Sequence, residues 1–102
     1  MTDQELLEYA AKAAGEELKY DSFGGGDNPD REYNYWNPLT DDGDALRLAV
    51  KLGMMIDHNV EADYAQVVLD GNSYHEMRGA DPYAATRRAI VRAAAEIGKE
   101  MT

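Results

Sequence analysis

The chain has 102 residues, a length that fits one domain with a modest core. It contains no cysteine, which excludes disulfides, thiol catalysis and thiolate metal sites within this sequence. The formal charge of −10 is concentrated in residues 1–70, which hold 16 acids against 5 Lys and Arg, and a field of this sign repels nucleic-acid backbones.

The first predicted element is a helix over residues 3–19. Thr2 and Glu5 form a T-x-x-E capping box, and apolar residues follow it at helical spacing. Gly15 is a weak point in this helix. The stretch DSFGGGDNPDRE at residues 21–32 is rich in glycine and polar residues, which predicts a mobile surface loop.

A second helix is predicted after the stretch YWNPLTDDGD at residues 35–44. Pro38 disfavours helix just before it, and Thr40 is the predicted N-cap. Asp41, Asp42 and Asp44 then fall in the first turn, where the helix dipole favours negative charge. A calcium loop would need a Glu at a fixed distance, which is lacking, so no metal site is predicted. The helix is expected to stop at Gly53.

Three strands are predicted in the middle of the chain. MIDHNVEA (55–62) alternates, with Ile56, His58 and Val60 on one face, and YAQVVL (64–69) is rich in β-branched residues. Asp70-Gly71 is a hairpin turn signal, and NSYHEM (72–77) is the predicted return strand.

Asp81-Pro82 predicts the start of a last helix that runs to the end of the chain. One face of this helix is predicted to carry Tyr83, Thr86, Ile90, Ala94, Ile97 and Met101. The element order is therefore α-α-β-β-β-α. The fold class that follows is α+β, with a small antiparallel three-stranded sheet packed against helices as an α/β/α sandwich.

Positive charge is concentrated near the end of the chain, together with two tyrosines. The residues concerned are Arg78, Arg87, Arg88 and Arg92, with Tyr74 and Tyr83 nearby. Arginine forks bind phosphate and tyrosine rings stack on bases, so this set is a candidate site for a phosphorylated small molecule. The alternative is that the arginines pair with acids of the first two helices. Arg88 and Arg92 are one turn apart and should share a face.

Trp36 and Asn37 precede the second helix and are the remaining candidates for ligand binding. An aromatic face beside a helix N-terminus suits a nucleotide, although a tryptophan in this position also anchors a loop to the core. His58 and His75 lie on predicted strands without a third metal ligand or a catalytic partner, so packed or solvent-edge roles are expected.

The N-terminal residues MTDQELLEYA lack the pattern of a signal peptide, and no apolar run is long enough to span a membrane. We therefore expect a soluble, cytoplasmic protein without membrane attachment.

The segment WNPLTDDGDALRLAVKL, the β-rich middle and the closing ATRRAIVRAAAEIG resemble the phage ABA sandwich domain, a family of small phage proteins. The resemblance covers residues 1–20 and 34–102, and its most specific part is W-x-P-L-x-D-x-G-D-A-L. It implies a three-layer α/β/α arrangement and a phage or prophage origin, hence the cytoplasm of a host cell. It implies no catalytic residues.

Our leading hypothesis is a phage-encoded, non-enzymatic protein that sequesters a small nucleotide-derived ligand, such as a signalling nucleotide of host defence. It would need no cofactor, and it would be a homo-oligomer with loop 21–32 as a lid. The alternative is an acidic inhibitor that mimics nucleic acid or binds a basic host protein. An enzyme is not expected, because no catalytic motif occurs.

Overall fold

The computed structural model describes residues 1–16 and 36–101. Three helices and three strands follow in chain order. They are α1 (Asp3–Ala14), α2 (Asp42–Leu52), β1 (Met55–Asn59), β2 (Tyr64–Leu69), β3 (Asn72–Met77) and α3 (Pro82–Glu100). The predicted α+β class and the order α-α-β-β-β-α are confirmed. The predicted loop at 21–32 lies outside the described residues.

Helix α1 begins as predicted and ends earlier than predicted. The Thr2 hydroxyl accepts from the Glu5 N–H at 3.1 Å, and the Glu5 carboxylate accepts from the Thr2 N–H at 2.9 Å. Gly15 then adopts a φ of 71°, which ends the helix after Ala14. The prediction that the helix extends through Gly15 was wrong, because this glycine is the C-cap.

Helix α2 is capped by Asp41 rather than by Thr40. The Asp41 carboxylate accepts from the Asp44 N–H at 2.7 Å. The Thr40 N–H donates to the Asn37 carbonyl at 3.1 Å, so Thr40 belongs to the preceding turn. Thr40 and Asp41 are both good capping residues. Asp41 is the cap because Thr40 takes part in the preceding turn. The predicted end of the helix at Gly53 is confirmed.

The sheet is antiparallel in the order β1-β2-β3. The Asp70-Gly71 hairpin is confirmed, with φ values of 52° and 80° that suit a tight turn between twisted strands. β1 ends at Asn59, before the predicted end at 62, because the Asn59 side chain accepts from the Ala62 N–H at 2.9 Å and the chain turns.

Alternation along β2 separates the two faces of the sheet. Ala65, Val67 and Leu69 are buried on an inner face, whereas the residues between them are half-buried. The antiparallel register pairs His58 with Ala65 and Ile56 with Val67, so both β1 side chains share the inner face. This agrees with the predicted alternation of β1.

All three described helices lie on the inner side of the sheet. α3 packs across β2 and β3, while α1 and α2 flank α3. Leu6 of α1 lies in a groove with Tyr74 of β3, and Ala45 of α2 lies in one with Ile56 of β1. The described residues thus form two layers where the α/β/α expectation has three, because α1 and α2 pack beside α3 instead of on the outer face.

The core between α1 and α3 is built from small residues. Ala10 and Ala14 of α1 are buried in one cluster with Ala94 and Ala95 of α3. Side chains this small let the two helix backbones approach closely. In the described ranges no helix is long and apolar enough to cross a membrane.

Candidate functional site

The predicted arginine and tyrosine cluster is divided between two depressions on the surface. Arg78, Tyr83 and Arg87 line a cavity between α2, β1 and α3. Tyr74, Arg88 and Arg92 line a second groove between α1, β3 and α3. Arg88 and Arg92 therefore share a face, as their spacing predicts. The six residues do not form one site.

Three of the four arginines pair with the protein's own acids. Arg87 Nη1 lies 2.6 Å from an Asp42 oxygen, and Arg88 Nη1 lies 3.1 Å from an Asp3 oxygen. These partners belong to α2 and α1, so the alternative interpretation is confirmed for both arginines. Arg92 pairs with Glu76 of β3 and donates to the His75 carbonyl at 2.9 Å.

Arg78 differs from the other three. It lies directly after β3, and its backbone N–H donates to the Asp63 carbonyl at 2.9 Å. Its Nε atom is buried, and among the described residues no acceptor lies within hydrogen-bond reach of it. No ion pair involving its guanidinium occurs in that part of the chain either. A buried donor left unsatisfied costs about 1–3 kcal/mol, and a charged one costs more.

The cavity that Arg78 lines has a volume of about 450 Å³, which lies within the range of about 300–1,000 Å³ typical of small-molecule sites. Its walls are mainly apolar. Besides Arg78, Tyr83 and Arg87, they consist of Asp42, Ala45, Leu46, Ile56, His58, Pro82, Thr86 and Ile90. Tyr83 is 70 % exposed, which leaves its ring free to contact a ligand. An apolar cavity with few polar groups is the usual setting of a binding site.

Thr86 and His58 add a second polar group to this cavity. The Thr86 hydroxyl donates to the Pro82 carbonyl at 2.7 Å, and its oxygen lies 3.4 Å from His58 Nε2. The cavity is therefore lined by a guanidinium donor and by an imidazole ring.

Arg87 is structural rather than available to a ligand. Its Nε donates to the Leu39 carbonyl at 2.8 Å, in addition to the pair with Asp42. These bonds attach the turn before α2 to the first half of α3. They close one wall of the cavity, and they neutralise the one other cation in its lining.

Trp36 and Asn37 also have structural partners. Trp36 packs half-buried against the core. The Asn37 side-chain oxygen accepts from the Leu39 N–H at 3.0 Å, and the Asn37 N–H donates to Asp44 at 2.9 Å. Of the acids in this stretch, Asp41 caps α2 and Asp44 accepts from the turn, whereas Asp42 pairs with Arg87.

The second groove is less suited to an anion. Its volume is about 290 Å³, and Glu76 and Glu96 line it together with Arg88 and Arg92. Burial raises the pKa of Tyr74 above its ordinary value, and the nearby Glu96 and Glu100 raise it further. A phosphate in this groove would meet two carboxylates and arginines that are already paired.

Sequence reasoning missed the apolar walls of the cavity and the Thr86–His58 contact. The alternation of β1 was a signal for one of these walls, because it puts Ile56 and His58 on the inner face. In residues 1–16 and 36–101 no group of three or more His, Asp or Glu side chains could hold a metal ion.

Comparison with models of protein families, with curated proteins and with solved structures found no match to this chain. The resemblance to the phage ABA sandwich domain therefore stays a prediction.

Proposed function

We propose that the protein is a non-enzymatic binding protein that sequesters a small nucleotide-like ligand in the cavity between α2, β1 and α3. The observation that carries this proposal is the buried, unpartnered Nε of Arg78 in a largely apolar cavity. A ligand with an anionic group in the cavity offers an acceptor to the Arg78 guanidinium, which lines it. Phosphate is the best match, because the guanidinium fork binds it through two parallel hydrogen bonds.

The remaining walls suit the rest of a nucleotide. The exposed ring of Tyr83 lines the same cavity as Ile56 and Leu46, and these residues offer apolar surface to a base. The His58 imidazole can hydrogen-bond to a base or to a hydroxyl group of a ribose. This chemistry binds and orients a ligand.

The resemblance to phage proteins extends the proposal to the biological ligand. A phage protein that binds a nucleotide without converting it acts as a sponge, and the fitting ligand is a signalling nucleotide of host defence. Sequestration then requires only affinity and abundance, not catalysis.

The test is isothermal titration calorimetry with a defined panel: adenosine 5′-monophosphate, a cyclic mononucleotide, a cyclic dinucleotide and cyclic ADP-ribose. Adenosine and inorganic phosphate serve as the two halves of a nucleotide. We expect at least one phosphorylated probe to bind and to be recovered chemically unchanged. Chemical conversion of the bound probe would instead indicate an enzyme.

Matched arginine variants locate the site. Arg78→Leu should weaken binding by about ten- to a hundredfold, the value of a charged hydrogen bond. Arg88→Leu removes the same charge from the second groove and should leave the affinity unchanged. The proposal fails if no phosphorylated probe binds, or if Arg78→Leu binds as tightly as the wild type.

A second candidate function is an acidic inhibitor of a basic host protein. The observation that favours it is the exposed side of α2, where Leu46 and Val50 lie one turn apart beyond the acidic first turn at Asp42 and Asp44. An apolar strip next to acids suits a partner whose rim is basic. Binding to such a partner should weaken steeply with added salt and be lost in Val50→Glu.

A further inference from the structure

The outer face of the sheet is a separate surface that none of the described helices covers. It consists of Met55, Asp57, Asn59, Tyr64, Gln66, Val68, Ser73, His75 and Met77. Met55 and Met77 are 66 % and 69 % exposed. Three strands of five or six residues span roughly 14 by 20 Å, an area of about 280 Å² on each copy that is well below a standard protein interface, so a contact made through it is weak.

The charge of this face is unlike that of the whole chain. Asp57 is its one carboxylate, although the chain as a whole has a net charge of −10. His75 is its one group that can become cationic. A second copy of this acidic protein therefore meets less electrostatic repulsion here than at the acidic first turns of α1 and α2.

The two polar groups lie in one row across the strands. Asp57 pairs with Gln66, and Gln66 pairs with His75. The order of this row is thus acid, amide and imidazole from one edge of the sheet to the other. The His75 ring also contacts Tyr64 edge-to-face, with centroids 5.0 Å apart, which holds the imidazole upright on the outer face.

We propose that two copies of the chain form a homodimer by packing the outer faces of their sheets together. A two-fold axis parallel to β2 exchanges the positions of the edge strands β1 and β3. Asp57 then lies opposite His75 of the partner subunit, and the same contact recurs on the other side of the axis. Val68 meets the partner's Val68, and Tyr64 meets the partner's Tyr64.

This arrangement is self-complementary in charge as well as in shape. An imidazole N–H donates to a carboxylate in either protonation state, so each dimer gains two such bonds. The central apolar pairs supply the buried area, and aligned sheets pack about 10 Å apart in this way. Because the area is small, the dimer dissociates in the micromolar range or above.

The experiment is analytical ultracentrifugation over a concentration series from low micromolar to near millimolar. The salt concentration is about 0.15 M, where charges further apart than about 8 Å are largely screened. We expect the average mass of the wild type to rise from the single-chain value of 11.3 kDa towards twice that value. A wild type that stays at the single-chain mass throughout overturns the proposal.

Variants that change the charges of Asp57 and His75 then test whether the outer face of the sheet forms the dimer interface. Asp57→Arg places a cation opposite the partner's His75, and His75→Asp places an acid opposite the partner's Asp57, so each variant should stay at the single-chain mass. The double variant carries both changes, restores opposite charges across the interface and should dimerise again. Recovery in the double variant also shows that neither substitution prevents folding.

Glu8→Arg is the control, because it makes the same change in net charge on the exposed side of α1. It should dimerise like the wild type. Dimerisation of Asp57→Arg with unchanged affinity would overturn the proposed face. The cavity with Arg78 opens on the inner side, so these variants leave ligand binding as an independent measurement.

Discussion

Gly98 in α3 lies directly against the carbonyl oxygen of Tyr9 in α1, so closely that an added Cβ atom would stand 1.8 Å from that oxygen. The neighbouring contacts between these helices involve alanines, including Ala10 and Ala94. The distance between α1 and α3 is thus set by backbone contact, with no long side chain that can move aside.

Gly98→Ala should therefore destabilise the protein strongly. Overpacking commonly costs about 1–3 kcal/mol, and we expect at least about 3 kcal/mol here because the clash is with backbone. The measurement is urea unfolding followed by circular dichroism. Gly43→Ala is the control, since its Cβ would meet the exposed end of the Arg47 side chain at 3.1 Å and the capping oxygen of Asp41 at 3.2 Å, and a shift of a few tenths of an ångström relieves both contacts. It should stay within about 1 kcal/mol of the wild type.

Arg78 and Arg87 line the same cavity, and their replacement by methionine should have different effects on stability. Arg87→Met removes the bonds to Leu39 and Asp42, and we expect a loss of about 2 kcal/mol. Arg78→Met removes a half-buried guanidinium whose buried Nε has no described partner, so the ligand-free protein should keep its stability or gain up to about 1 kcal/mol. Thermal unfolding of both variants checks this, and an equal loss in the two would contradict it.

Asp44 connects the turn before α2 to the helix. Its side chain is only 14 % exposed, and it accepts from the Asn37 N–H and from Arg47. Asp44→Ala should cost about 1–3 kcal/mol, because the Asn37 N–H loses its acceptor. Arg47→Ala removes the ion pairs with Asp44 and Asp41 at an arginine that is 72 % exposed, and should cost much less than Asp44→Ala. Comparable losses in the two variants would show that the ion pair, not the turn, carries the effect.

Tyr74 should make stability fall at high pH. Burial, followed by Glu96 and Glu100, raises its folded-state pKa above the ordinary value of 10.0. The folded state therefore holds this proton more tightly than the unfolded state does. The stability that protonated Tyr74 contributes is fully present below pH 10.0, and it is lost as the pH rises through the folded-state pKa. The difference between the ultraviolet titrations of the wild type and of Tyr74→Phe should show a phenol with a pKa above the ordinary tyrosine value. A difference curve centred at the ordinary value would contradict this.

The elements could be predicted because their signals are local. Alternation in β2, the Asp70-Gly71 turn and the Asp81-Pro82 helix start each lie within a few residues of the structure that they specify. Thr40 shows the limit of such reasoning, because two good capping residues are adjacent and a hydrogen bond to Asn37 decides between them. Gly98 is a further case, since its importance depends on a helix at the other end of the sequence.

The sequence indicated which residue types belong to the candidate site, but not which of them lie together in the structure. The arginines were identified correctly as the charged feature of the last third, but their partners are distant in sequence. Arg87 and Asp42 are 45 residues apart, and Arg88 and Asp3 are 85 apart. Which arginine is left without a partner follows only from packing, and so Arg78 could not be distinguished from the others in advance.

The contact between α1 and α3 also constrains the order of folding. Helix α1 is synthesised before its main packing partner at residues 82–100, so its apolar side stays open until α3 has emerged. Closing so long a loop is slow compared with forming the β2–β3 hairpin. We therefore expect the sheet and α3 to pack first and α1 to dock onto them afterwards.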